Sequence, residues 1–452
     1  MKTKLILFLL IISSLQISAQ INIKKCLTTP LVQQELKSNP DYVQARAKSI
    51  AENSTWIAGN HTKKSTLNIP VVVHVVHRVS HANVGSGTNI SDAQIADALR
   101  ILNEDYSKTN PEFPNPASVG GRNDFLSYAG NPDLQFCLAT TDPSGNTTTG
   151  ITRTASTKNS FDADTESNDM KKNNTLGIDG WDPSQYLNIW ICNLSSSGGG
   201  QTLGYAYLPG LWANQQWKDG LVVDYQWFGT IGAASPSSDG RTATHEIGHY
   251  LGLNHTFAEA SWNGQGPCDG SQGNLQCCDN DNGNVDDTPA TLDIYWGAVT
   301  STTNNNTCND LSYSNIFTTD VLDMDENYMS YASTTWMFSA DQVNIMNATL
   351  NGYRSSLKNS TVSMNCNGTV GVNEYSLENM NIYPNPTLGL VNIKSKEKIN
   401  TISISNILGK QIFFTEDFRT NTIDLSSFDN GVYFINISTN KGMHIEKIIL
   451  SK

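Results

Sequence analysis

The chain has 452 residues, more than one average domain, which sets an expectation of two or three folded units. A net charge of -13 argues against nucleic acid or an anionic membrane surface as the main partner. Hydrophobic residues make up 38% of the chain, and Asn, Ser, Thr and Gly are abundant, as in a soluble protein rich in turns and strands.

Residues 1–19 read as a secretory signal. Lys2 and Lys4 precede an apolar run from Leu5 to Ile12, and Ser18-Ala19 forms a small-residue exit. No other stretch is long and apolar enough to span a bilayer. The eight cysteines are Cys26, Cys137, Cys192, Cys268, Cys277, Cys278, Cys308 and Cys366, which in an exported chain read as a mixture of disulfides and special thiols.

Residues 20–61 are polar and helix-prone, carry Cys26, and include an amphipathic run from Leu31 to Ile50. They read as a loose arm or a propeptide. The first core strand is Ile69 to Val79, a β-branched run of the kind buried on both faces, with His74 and His77 inside it as core or edge histidines. A helix follows with explicit start signals: Ser91 and Gln94 are spaced as a capping box, and Ile95, Leu99 and Leu102 form its buried stripe. Leu134 to Thr140 and Tyr186 to Leu194 read as further strands, so a helix packed on a mixed sheet is expected.

The glycine-rich turn at Gly198 leads into a short strand at Leu203, Gly204, Tyr205 and Ala206. An exposed edge strand there can hold an extended peptide by main-chain hydrogen bonds, and an ordinary hairpin fits the same residues. Leu221 to Trp227 is another strand.

Thr244 to Phe257 then carries His245, Glu246, His249, Gly252 and His255 at the spacing H-E-x-x-H-x-x-G-x-x-H. Residues four apart share one helical face, so His245 and His249 can meet one metal ion while Glu246 reaches a water on it. Gly252 can turn the chain back to deliver His255 as a third ligand. Three protein ligands with one open position are the pattern of a catalytic zinc.

Downstream the chain becomes loop-like. Asp279, Asp281, Asp287 and Thr288 supply hard oxygen ligands at short spacing, so either a calcium ion or a solvated acidic loop is expected, although the EF-hand pattern fails at its glycine. Cys268, Cys277, Cys278 and Cys308 are placed to brace this region. Asn327 to Tyr331 (N-Y-M-S-Y) is followed by a helical run from Ser339 to Leu357. Residues 359–374 read as a linker, and residues 375–452 as short alternating strands of a small β-sandwich.

The zinc motif, the V-D-D-T-P run at Val285 to Pro289 and N-Y-M-S-Y resemble the pappalysin (cytophagalysin, ulilysin-like) metzincin proteases. The resemblance implies an α+β chain: a metzincin-type catalytic domain over residues 62–358, with a twisted mixed sheet, an active-site helix and a loop-rich C-terminal subdomain, then the all-β sandwich. It implies a Met-turn at Met329, an oxyanion hydrogen bond from Tyr331, and a latency role for Cys26 as a thiolate on zinc, against which stands a structural disulfide. It also backs a Cys268–Cys308 disulfide. Two departures matter. Ala332 to Thr335 replaces the acidic residues of arginine-preferring members, and Trp336 stands where a family cysteine is expected.

Tyr383-Pro384-Asn385-Pro386, Gly389, Asn406 to Lys410, Gly431-Val432-Tyr433 and Lys447 resemble type IX secretion sorting domains; an adhesive or carbohydrate-binding sandwich is the alternative. Together these resemblances imply a secreted, latent zinc endopeptidase acting on proteins or peptides, exported across an outer membrane by the type IX machinery. Glu246 is then the general base. A non-catalytic, metal-binding surface adhesin is the competing reading.

Overall fold

A computed structural model describes residues 23–59, 66–257, 285–312, 316–366, 380–395, 398–406, 411–415, 418, 420–439 and 442–452. They fall into two compact units, one running to Phe136 and resuming over Ile151–Val362, the other made of Cys137–Gly150 and Ser363–Lys452.

The first unit opens with β1 (Ile23–Cys26), α1 (Thr28–Ser38) and α2 (Pro40–Ala58). The single amphipathic run expected from Leu31 to Ile50 is therefore two helices. Asn39 is extended and accepts the Tyr42 N–H at 3.3 Å, and Pro40 lacks the N–H that would continue α1 but suits the first turn of α2. Leu27, Leu31, Val32 and Tyr42 from this segment are buried in one cluster with Trp190, Tyr205 and Tyr207. At about 2 kcal/mol for each large apolar side chain, this packing rather than helix propensity holds the pair in place.

Next come β2 (Leu67–Arg78) and α3 (Asp92–Tyr106). Ser91 accepts the Gln94 N–H at 3.1 Å, as a helix cap does. The Gln94 amide does not close the expected capping box; it donates to the Tyr225 and Phe228 carbonyls at 2.9 and 3.0 Å. The chain continues through β3 (Leu134–Ala139), β4 (Ile151–Ser156), β5 (Phe161–Asp162), β6 (Leu187–Cys192), β7 (Leu194–Ser195), β8 (Gln201–Ala206) and β9 (Leu221–Asp224).

The main sheet has the order β1-β8-β9-β6-β2-β3, with β4 also pairing β2, and β5 pairs β7 apart from it. β2 is parallel to both β4 and β6, which explains why its valines are buried on both faces. His74 is a core histidine, held by Thr152 at 2.8 Å and Asn188 at 2.9 Å, and His77 meets the Arg78 carbonyl at 3.0 Å. β8 is antiparallel to β9 and parallel to β1.

Three helices complete this unit: α4 (Thr242–Tyr250), α5 (Ala340–Asn351) and α6 (Ser355–Lys358). The run expected from Ser339 to Leu357 is interrupted at Gly352, after a full capping box between Ser339 and Gln342 has started α5. No helix among the described residues is long and apolar enough to cross a membrane.

In the second unit β10 (Met364–Asn365) pairs antiparallel with Leu138 and Ala139, and Cys137 is bonded to Cys366. Then follow β11 (Asn381–Tyr383), β12 (Leu390–Lys394), β13 (Ile399–Asn406), β14 (Gln411–Thr415), β15 (Thr422–Asp424), β16 (Gly431–Thr439) and β17 (Gly442–Leu450). They form a three-stranded sheet, β11-β12-β15, and a four-stranded sheet, β14-β13-β16-β17. Val391 and Ile393 from one sheet and Ile402, Ile404, Ile435, Ile437 and Ile448 from the other are buried in a common core, with the alternation of a small sandwich.

Candidate metal centre

α4 presents His245 and His249 one turn apart. Gly252, at φ +104°, reverses the chain behind the helix, and Leu253 donates to the Gly248 carbonyl at 3.0 Å. That turn brings His255 back to the other two. The Nε2 atoms of His245, His249 and His255 lie 3.1 to 3.2 Å from one another. Nitrogens bound ~2.0–2.1 Å from a tetrahedral zinc stand roughly 3.3 Å apart, so the set fits that ion.

The outward nitrogens support the same reading. His245 Nδ1 lies 2.7 Å from the Tyr328 carbonyl and His249 Nδ1 2.7 Å from the Leu253 carbonyl. A carbonyl accepts only, so each Nδ1 carries the proton and each Nε2 turns a lone pair inward. Burial lowers His245 to about 4 and His249 and His255 well below the ordinary value, which keeps them neutral as ligands must be.

Glu246 is fully buried, and burial pushes its carboxyl up to about 8 against hydrogen bonds from Cys26, Thr28 and the Ala206 backbone. Its Oε2 accepts the Cys26 thiol at 3.4 Å and the Thr28 hydroxyl at 3.2 Å, while its Oε1 is buried with no hydrogen-bond partner. A buried carboxyl oxygen left unmatched beside three convergent imidazoles is a group awaiting a hydrogen-bond partner.

Cys26 is free, and its Sγ and the three imidazole nitrogens all lie within 4.8 Å of one another. The backbone puts it there. β1 lies along β8 in parallel, with Lys24 opposite Thr202 and Cys26 opposite Gly204, and Leu27 donates to the Gly204 carbonyl at 3.1 Å. The strand Leu203 to Ala206 is thus an edge that accepts an extended segment, here the chain's own N-terminal one. Thr28 Oγ1 accepts the Ala206 N–H at 3.0 Å, and Lys25 donates to the Tyr331 and Ala332 carbonyls, both at 2.8 Å. Lys25 lines a cavity of about 240 Å³ beside His245, with Leu203, Trp227, Asp239 and Tyr331 among its walls.

Beneath the histidines Met329 is fully buried. A Cβ on Gly248 would stand 2.4 Å from the Met329 sulfur, so any larger residue there would push that side chain aside. The Tyr331 ring lies 4.9 Å from His255 and 4.9 Å from Phe257, and its hydroxyl is hydrogen-bonded to Cys26.

Not every candidate from the sequence falls at this centre. Asp279, Asp281 and Cys268 lie outside the described residues. Asp287 accepts the Asp341 N–H at the start of α5 at 2.9 Å. Cys308 is disulfide-bonded, and Cys192 is a second free, buried thiol. The Cys137–Cys366 bridge was not anticipated from sequence, because 229 residues separate its ends. Lys25 and Thr28 were also missed, since nothing local marks residues whose partners lie 306 and 218 positions away.

With this geometry in hand, the likeness to known proteins is informative. Residues 170–351 match the family model of pregnancy-associated plasma protein-A, and residues 381–451 match that of the secretion system C-terminal sorting domain. Mature mirolysin of Tannerella forsythia, solved with a cleaved peptide, is 34% identical, with a TM-score of 0.52 over 66% of this chain and 97% of that one. A mutant of promirolysin from the same organism is 31% identical, with a TM-score of 0.55 over 74% of this chain and 97% of that one. An extracellular metalloprotease of Pyricularia oryzae is 31% identical over 243 residues, 53% of this chain and 61% of that one. Another, from Verticillium alfalfae, is 28% identical over 221 residues, 47% of this chain and 58% of that one. The chain thus spans about three-fifths of the curated relatives it matches.

Proposed function

Because the chain belongs to the pregnancy-associated plasma protein-A (pappalysin) family of peptidases and carries a secretion sorting domain, we propose that it is a secreted zinc endopeptidase, made latent by its own N-terminal segment. The observation that carries the reading is the convergence of three neutral imidazoles beside a buried carboxylate with one unmatched oxygen.

His245, His249 and His255 are the proposed ligands. A zinc ion held there would supply Lewis acidity for activating a water and polarising a scissile carbonyl. Glu246 takes the proton of the attacking water on its unmatched oxygen and returns it to the leaving amine. The Tyr331 hydroxyl, freed from Cys26, is the donor for the oxygen that gains charge. Met329 supports the three rings from below. Leu203 to Ala206 pairs with the substrate backbone once β1 has left.

Cys26 is the proposed latency switch. Its thiol has no disulfide partner and stands among the ligands, and the prosegment around it, over residues 20–61, is anchored by strand pairing and by its own apolar core. The catalytic domain is proposed over residues 62–358, the linker over 359–374 and the sorting domain over 375–452, which type IX machinery engages. The peptidase family match and the presence of Glu246 beside all three histidines disfavour the adhesin reading.

Calcium is the finer part of the proposal: a structural ion held by Asp279, Asp281, Asp287 and Thr288, supported by the sequence spacing of those oxygens. Thermal unfolding that is unchanged by a calcium-selective chelator overturns it.

The decisive test of the main reading is Glu246→Ala in the full chain. It is expected to retain stoichiometric zinc by elemental analysis and to lose casein cleavage by at least a hundredfold after prosegment removal. Retained proteolysis refutes the assignment.

A further inference from the structure

Of the two ligands whose outward nitrogen has a described partner, His249 is oriented by its own helix end, through Leu253 four residues on. His245 instead depends on the Tyr328 carbonyl, 83 residues away, so its orientation is only as fixed as that distant segment. Three facts show what fixes it. Tyr328 donates its N–H to the Met337 carbonyl at 2.8 Å. Its hydroxyl donates to Asp105 Oδ1, on α3, at 2.7 Å. The other oxygen of the same carboxylate accepts the hydroxyl of Thr244, the residue before His245, at 2.7 Å.

Asp105 also accepts Arg241 Nε at 3.3 Å, and that guanidinium reaches Glu112 at 2.8 and 2.9 Å and the Thr335 carbonyl at 2.6 Å. Asp105 is only 2% exposed, so nearly all its solvation comes from these donors. One buried carboxylate therefore ties three segments together: the end of α3, the start of α4, and the chain just before Met329.

We infer that Asp105 is a positioning residue for the metal centre, holding the Tyr328 carbonyl and Thr244 in register so that the ring of His245 is aimed inward. The inference rests on the zinc reading and adds a residue that no motif contains. Asparagine at 105 would turn an amide N–H₂ toward donors, breaking at least one of the ties. Phenylalanine at 328 would remove a single bond while keeping the packed ring. Outer partners of ligating histidines are worth roughly 10- to 100-fold in metal affinity, and that is the size of effect expected here.

The test measures zinc affinity of the full chain by competition with a chromogenic chelator, and the visible spectrum of the cobalt-loaded protein. Asp105→Asn and Tyr328→Phe are compared with Asn103→Ala, which removes two bonds from α3 to Phe136 on a part of the helix without a tie to the histidines. The expected result is zinc affinity about tenfold or more weaker in both test variants, with shifted cobalt bands, while Asn103→Ala loses thermal stability and keeps wild-type affinity. Should Asp105→Asn fail to fold, Tyr328→Phe decides. Wild-type affinity and spectrum in folded Tyr328→Phe, or an equal loss in Asn103→Ala, overturns the inference. A wild-type chain that does not bind zinc overturns the zinc reading itself, and the two failures are thereby told apart.

Discussion

Substituting Gly204 by alanine is a direct test of how closely the strand and the helix must approach. A Cβ at this position would stand 3.0 Å from Glu246 Cγ, 3.0 Å from Thr242 Cγ2 and 3.1 Å from the Val222 carbonyl oxygen. Carbon atoms in ordinary contact are ~3.5–4.0 Å apart, so β8 and α4 must separate by about half an ångström or Glu246 must rotate. Misplacement of a reacting group by about 1 Å can cost on the order of a hundredfold, so half that distance predicts a roughly tenfold lower kcat. The ligand histidines are not among the nearest atoms to this Cβ, so zinc content is expected to stay at wild type. The assay is kcat and KM on a quenched fluorescent peptide after prosegment removal, with zinc measured on the same sample. A kcat within about twofold of wild type, in a variant that has the residue change and full zinc, refutes the reasoning.

Two further outcomes follow from other parts of the molecule. Cys26→Ser removes the thiol from the metal centre but leaves β1 paired with β8, so the full-length variant should cleave casein after a shorter lag than the wild type; equal lags would show that the thiol does not restrain the enzyme. Lys171 is fully buried, donates to the Lys218 carbonyl at 2.5 Å, and is lowered to about 7 by burial, against the pull of Asp219. Its folded value lies below the unfolded one, so the stability it contributes is present above roughly pH 10 and is lost as pH falls toward 7. Relative to Lys171→Met, wild-type stability should therefore rise by about 1.4 kcal/mol per pH unit between pH 7.5 and 9.5 in urea unfolding, and parallel curves would contradict it.

The sequence by itself determined the elements whose logic is local. The meeting of His245 and His249 follows from a four-residue step on a helix, and the return of His255 from a glycine free to take φ +104°. The strand at the centre of the sheet was legible because a run of valines has nowhere but the interior to go, and the sandwich because its apolar residues alternate. Local signals also have limits. Asn39-Pro40 was there to be read as a break in the N-terminal helix, and Gln94 had the spacing of a capping box yet turned its amide to a neighbouring loop.

Only the tertiary structure decided the contacts that join distant segments. It laid Cys26 along the strand at Gly204, put Thr28 on Glu246, bonded Cys137 to Cys366, and gathered Tyr328, Thr244 and Arg241 around Asp105. A hydrogen bond or a thiol contact across two hundred residues leaves no periodicity in the chain. Its partners become neighbours only when the burial of other side chains, such as Leu31 and Tyr42 against Trp190 and Tyr207, has already brought their backbones together.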